Sequence, residues 1–128
     1  MNTIVLVCVM VLGLLLFALG IAVSVTRLRS GVVSGSVPDP TNMLNKLVRA
    51  HGNTAEYVPF LAVLLLYHGA HDPSASTLAW IVAATVLRCL LVVSLLAFPS
   101  MAKPNPLRFI GGVGTYVCGI SLCVALLH

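Results

Sequence analysis

The residues able to do chemistry in this chain sit where charge is otherwise scarce. The stretch VRAHGNTAEYVPF, positions 48–60, places Arg49, His51, Asn53, Glu56 and Tyr57 inside an apolar run. Arg88 interrupts a second apolar run, and Arg108 opens a third. Guanidinium groups are permanently charged and bind carboxylates in a planar fork, while a lone carboxylate such as Glu56 can accept from an amine. Such a set suits a small ligand with carboxylates at one level and an amine at another.

The spacing gives these residues a common direction. At about 100° per residue, Arg49, Asn53 and Glu56 fall within about 60° of one another on a helix, with Tyr57 on the flank. Arg27, Arg29 and Arg108 lie at the same level as Arg49, at the basic edge of the neighbouring apolar runs. Lipid does not tolerate such a stripe, so it must line a protein interface or a cavity that is basic at its mouth, with one carboxylate at its base. His51 points about 160° away from Arg49 and reads as an interface contact. Pro59 adds polarity beside Glu56, because it frees the backbone carbonyl of Ala55.

The elements that carry these residues follow from composition. Of 128 residues, 59% are hydrophobic and 8% are charged, against about 25% charged in a soluble domain. A water-soluble globule and a disordered chain are both excluded. Apolar runs at 4–25, 44–67, 78–98 and 109–127 are each long enough to cross a bilayer core of about 30 Å. The expected architecture is all-α: one domain over 1–128, an integral membrane four-helix bundle. The first run lacks the positive flank of a signal peptide and reads as a retained span. The linkers SGVVSGSVPDPT, HGAHDPSAS and PSMAKPNP have loop chemistry. Lys and Arg cluster beside the first and third linkers and are absent from the second and from both termini. This bias places the first and third loops in the cytoplasm and the termini outside.

Depth singles out two charges. Glu56 lies 11 residues from Tyr67, and Arg88 lies 10 residues from Leu78, so at about 1.5 Å per residue both sit roughly 15–17 Å deep. On consecutive antiparallel helices, an ion pair between Glu56 and Arg88 is the expected solution, since each offsets the other's burial. Lys46, Lys103, Asp39 and Asp72 read as ordinary loop or interface charges. His68, His71 and Asp72 read as a solvated turn, with no metal site expected. Cys8, Cys89, Cys118 and Cys123 lie in apolar runs without metal or redox spacing and read as free thiols. Gly111, Thr115, Gly119 and Cys123 recur every four residues, a stripe that lets helices approach closely. The net charge of +4 comes without basic runs or interleaved aromatics, so nucleic acid is not an expected partner.

The pattern R-A-H-x-N-x-x-E-Y-x-P at 49–59 resembles the signature of the MAPEG superfamily, the membrane-associated proteins in eicosanoid and glutathione metabolism. The resemblance spans the whole chain: four spans, a basic end to the first, an arginine in the third and P-L-R opening the fourth. It implies a homotrimer of four-helix protomers binding glutathione, as co-substrate, between adjacent subunits. It assigns glutathione contacts to Arg49, Asn53, Glu56 and Tyr57. Arg29, with Arg27 as its alternative, and His51 would reach the ligand from the neighbouring subunit. Arg108 matches the arginine that stabilises the glutathione thiolate, and Arg88 an arginine that pairs with the signature glutamate.

The implied chemistry is transferase or peroxidase: a thiolate, held by a permanent positive charge, attacks a lipophilic electrophile arriving from the bilayer. No metal is required. Family enzymes often carry tyrosine or histidine three and seven residues after the third-span arginine. Here those positions are Leu91 and Leu95, so two hydrogen-bonding contacts are missing. Some relatives bind lipids or partners without catalysis, which makes a non-catalytic lipid- or glutathione-binding protein the first alternative. A small multidrug exporter, also of four spans with an intramembrane glutamate, is the second. Short loops and minimal length favour a bacterial inner membrane.

Overall fold

Each helix begins at a residue able to cap it. In the computed structural model, which describes residues 1–127, α1 spans Thr3–Ser30, α2 Met43–Ala70, α3 Ala75–Ala97 and α4 Pro106–Val124. A short 3₁₀ turn, Ala125–Leu127, follows α4. The side chains of Asn2, Asn42, Ser74 and Asn105 accept from the first free backbone N–H groups of the four helices, the usual role of an N-cap. Pro106 occupies the first turn of α4, where its missing N–H costs nothing. Gly31 ends α1 at φ 70°, a left-handed conformation that glycine adopts without strain.

The chain is thus an all-α four-helix bundle, and α1 and α2 outrun the expected apolar runs at both ends. α1 continues through Arg27 and Arg29 to Ser30, because arginine is a good helix former and the helix stops only at Gly31. α2 runs on to Ala70 and α3 starts at Ala75, leaving four residues between them. Among the described residues, three helical segments are long and apolar enough to cross a membrane: Thr3–Ser30, Ala75–Ala97 and Pro106–Leu127. α2 matches α1 in length, 28 residues each, but its polar stripe sets it apart from those three.

The helices pair in sequence order, α1 against α2 and α3 against α4, and the pairs pack together through α3. Two apolar clusters result. At the end that holds the N-terminus, Val5, Leu12, Leu61, Leu65, Ile81 and Leu122 are buried together. At the opposite end Leu19, Leu44, Leu47, Leu91, Val92 and Leu95 form the second cluster. Arg88 falls on α3 between Ile81 of one and Leu91 of the other, and it is 1% exposed. Buried Thr54 and Thr85 lie at the same level, their hydroxyls donating to Ala50 O and Ile81 O. A thin polar layer therefore divides the core.

Close approaches fix the pairs. A Cβ on Gly111 would meet Leu91 Cβ at 2.9 Å and Leu91 backbone atoms at 3.0 Å, so α3 and α4 approach backbone against backbone there. The small-residue stripe of α4 serves this contact at Gly111 and Thr115, which are buried, while Cys123 is exposed. At Gly69 the Val5 side chain fills the corresponding space across α1 and α2.

Two side chains expected at the surface prove structural. Lys46 is buried, and its Nζ donates to Phe98 O at 2.7 Å. It satisfies a carbonyl left free at the end of α3 and complements the negative pole of that helix. His68 is likewise buried rather than solvated, its Nε2 bonded to Leu122 O at 2.9 Å. That bond ties α2 to α4, where few other contacts join them. Large apolar side chains such as Phe17, Ile21, Phe60, Val63 and Ile120 remain exposed along the bundle, the exterior expected of a lipid-embedded protein.

Candidate functional site

Three arginines converge on one cavity. Arg49 and Asn53 come from α2, Arg88 and Leu91 from α3, and Arg108, Gly112 and Tyr116 from α4; with Leu95 and Met101 they enclose about 470 Å³. Arg49 and Asn53 are four residues apart and so share a helix face. Gly112, without a side chain, leaves room between Arg108 and Tyr116, one helical turn to either side of it. Among the described residues no carboxylate lines the cavity. Three guanidinium groups without an acid among them form an anion-binding site.

Arg88 is fixed at the base of this cavity. Its Nη2 donates to Asn53 Oδ1 at 2.8 Å and to Asn53 O at 3.0 Å, which spans the gap between α3 and α2. Its guanidinium carbon also lies 5.1 Å from the centroid of the Tyr57 ring, within range of a cation–π attraction. Its Nε is buried without a partner. The expected ion pair with Glu56 is not what this geometry provides: Arg88 turns to Asn53, and Glu56 is exposed on the flank of α2. Asn53 and Glu56 are only about 60° apart around the helix, and that offset leaves Asn53 against α3 and the carboxylate on the exposed flank.

Arg108 sits at the opposite end of the cavity. Its Nη1 donates to Met101 O at 2.9 Å, which anchors the side chain to the loop preceding α4 and leaves its remaining donors free. Leu91 and Leu95 form an apolar wall between the two arginines.

A second cavity of about 540 Å³ adjoins the first and is apolar. Phe60, Leu61, Leu64, Gly119, Ile120 and Cys123 line it, with Glu56, Tyr57, Thr115 and Tyr116 at its polar edge. Glu56 therefore lies in this second cavity and not at the base of the basic one, as its position on the helical stripe suggested. Tyr57 and Tyr116 stand between the cavities. The Tyr57 hydroxyl donates to the Tyr116 hydroxyl at 3.3 Å, and the ring centroids are 5.6 Å apart. Sequence reasoning missed Tyr116. Its only signal was its place two turns beyond Arg108, on the same face of α4.

The remaining candidates lie elsewhere on the molecule. His51 faces α1, its Nε2 3.3 Å from where a Cβ on Gly20 would be. With Arg27, Phe17, Ile21 and Ser24 it lines a groove between α1 and α2. Arg27 Nη2 donates to Gly35 O at 2.8 Å, which folds the 31–42 loop back on the end of α1. Arg29 is exposed and faces neither cavity. Within the chain the six charges thus separate: Arg49, Arg88 and Arg108 together, Glu56 adjoining, and Arg27 and Arg29 apart.

Comparison with known proteins gives one result. The profile of the MAPEG family matches residues 5–128, nearly the entire chain. No curated protein and no solved structure matches.

Proposed function

The chain belongs to the MAPEG family, a family of membrane glutathione-related enzymes, and from that premise we propose a glutathione transferase or peroxidase acting on lipophilic electrophiles. One observation carries this reading: three arginines, and no acid among the described residues, line a single cavity. Glutathione as its thiolate brings three negative charges, two carboxylates and a sulfur, and one ammonium group. The anions match Arg49, Arg88 and Arg108 in number, and Glu56 in the adjoining cavity suits the ammonium.

The roles divide by position. Arg49, at the open end of α2, takes a carboxylate, and Asn53 presents its free amide beside it. Arg88 is a positioning residue, since its Nη2 holds both the side-chain and the backbone oxygen of Asn53. Arg108 holds the thiolate. A free thiol ionises near pH 8.5, so a fixed positive charge beside it raises the reactive fraction at neutral pH. The electrophile arrives through the apolar cavity, which lies on the exposed face of α2 and α4.

That face also argues for assembly. Glu56 is exposed beside Phe60 and Val63, which are 61% and 62% exposed. An uncovered carboxylate at mid-membrane costs on the order of 2.5–3.5 kcal/mol, so a second copy is needed to cover it. In a homotrimer the α1–α2 groove of a neighbouring copy, lined by Arg27 and His51 with Arg29 at the exposed end of α1, would close the site. Positive-inside bias would then put the basic cavity on the cytoplasmic side, the side from which a water-soluble thiol enters.

The test is conversion of a generic aryl halide by the detergent-solubilised protein with glutathione. We expect turnover above background that Arg108→Ala reduces at least about tenfold while binding of glutathione persists. Equal background rates in both proteins, with glutathione bound, would instead establish a non-catalytic binding protein. That second reading draws on Leu91 and Leu95, which present no hydrogen bond to the cavity.

A further inference from the structure

Tyr116 is the one residue, among those described, that lines both the basic and the apolar cavity. Its hydroxyl is the only one facing the basic cavity, whose other lining residues are arginines, Asn53, Gly112 and apolar side chains. On the apolar side, Thr115 spends its hydroxyl proton on Gly111 O at 2.7 Å. Tyr57 spends its own on Tyr116. The proton of the Tyr116 hydroxyl is therefore the uncommitted one at the junction. A hydroxyl that accepts a hydrogen bond also donates a stronger one. Behind it, Arg88 holds the Tyr57 ring and thereby the hydroxyl pair.

We propose that Tyr116 donates a hydrogen bond to the electrophile, and that it selects acceptors whose oxygen becomes an anion when sulfur attacks: long-chain α,β-unsaturated aldehydes and ketones. This rests on the glutathione-transfer reading above. The thiolate forms a bond to the β-carbon of the acceptor. The π pair of the carbon–carbon double bond shifts toward the carbonyl, whose oxygen becomes an enolate. Tyr116 donates to that oxygen at the mouth of the apolar cavity, where the alkyl tail lies against Phe60, Leu64 and Ile120. Water then delivers a proton to the α-carbon, replacing the one the thiol lost on ionising. No oxidant or reductant takes part. The three guanidinium groups line the basic cavity and not the apolar one, which leaves Tyr116 as the donor at the junction. An alkyl iodide makes no comparable demand, because its charge leaves as iodide.

The experiment compares wild type, Tyr116→Phe and Tyr57→Phe with glutathione and two acceptors, trans-2-nonenal and 1-iodohexane. Tyr116→Phe should lower kcat/KM for the enal by about 10- to 100-fold, chiefly in kcat, and leave the iodide within about threefold. Tyr57→Phe should cause a smaller loss on the enal alone. The iodide reaction reports that the fold and the thiolate survive the substitution. An unchanged enal rate, or an equal fall with both acceptors, would overturn the proposal for Tyr116 and leave glutathione transfer standing. Absence of glutathione-dependent reaction by wild type with either acceptor would overturn both.

Discussion

Arg88 on α3 donates twice to Asn53 on α2, to the side-chain oxygen at 2.8 Å and to the backbone oxygen at 3.0 Å. One buried guanidinium thus joins two helices and orients a residue of the candidate site. Asn53→Ala should cost about 1.5–3 kcal/mol, the worth of a hydrogen bond to a charged group. Thermal unfolding in detergent measures it. With Arg88→Met also introduced, the added loss should be smaller than either single loss, because no unpaired charge remains; strictly additive losses would refute the coupling.

Lys46 is the one buried lysine, and Phe98 O is its partner. Lys46→Met keeps most of the apolar stem but leaves the end of α3 without its cation. The expected loss is about 1–2 kcal/mol, from the hydrogen bond and the helix dipole together. Protection of amides in the last turn of α3 against hydrogen exchange should fall with it, and unchanged protection would remove the capping role.

Gly111 and Gly112 are neighbours with opposite surroundings. A methyl group at Gly111 collides with Leu91, whereas one at Gly112 meets nothing within 4 Å. Gly111→Ala should destabilise by about 1–3 kcal/mol. Gly112→Ala should be neutral or slightly stabilising, since alanine is the better helix former. Paired melting curves decide the matter, and equal shifts would contradict the close approach of α3 and α4.

Asp39 lies in the loop before α2, and the Thr41 hydroxyl and backbone N–H both donate to its Oδ1, at 2.7 and 2.8 Å. These bonds favour the ionised form and hold its pKa below the ordinary value of 3.8. A carboxylate with a lowered folded pKa contributes stability above its unfolded value and loses it as pH falls through the folded one. Protection of the Thr41 amide should therefore be constant from neutral pH to about 4 and decline below the ordinary carboxylate range. In Asp39→Asn the step should vanish; its persistence would assign the titration to another group.

How far the sequence could be read depends on what each inference used. Helical periodicity is local, and it placed Arg49 and Asn53 on one face and His51 on another, as observed. Gly111 announced a close contact through its spacing with Thr115. Depth matched Glu56 with Arg88, but depth fixes only one coordinate. Azimuth decided the outcome, and it turned Arg88 toward Asn53. Lys46 and His68 were misread because each sits near a helix end, where burial depends on which neighbour folds over it. Their partners, Phe98 and Leu122, are 52 and 54 residues away, beyond the range of any local pattern. Tyr116 escaped notice because a tyrosine in an apolar helix is unremarkable until a second hydroxyl is found beside it.

The contact between Leu91 and Gly111 has a metrical consequence. Arg88 precedes Leu91 by three residues, and Arg108 precedes Gly111 by three, on helices that run in opposite directions. The two arginines are thus displaced to opposite sides of the contact, by about 4.5 Å each along the axis, or roughly 9 Å in all. Backbone against backbone sets that interval, and side-chain torsions only adjust it. The cavity is graduated like a gauge block, and the ligand it accepts is one whose charges are separated by a comparable length.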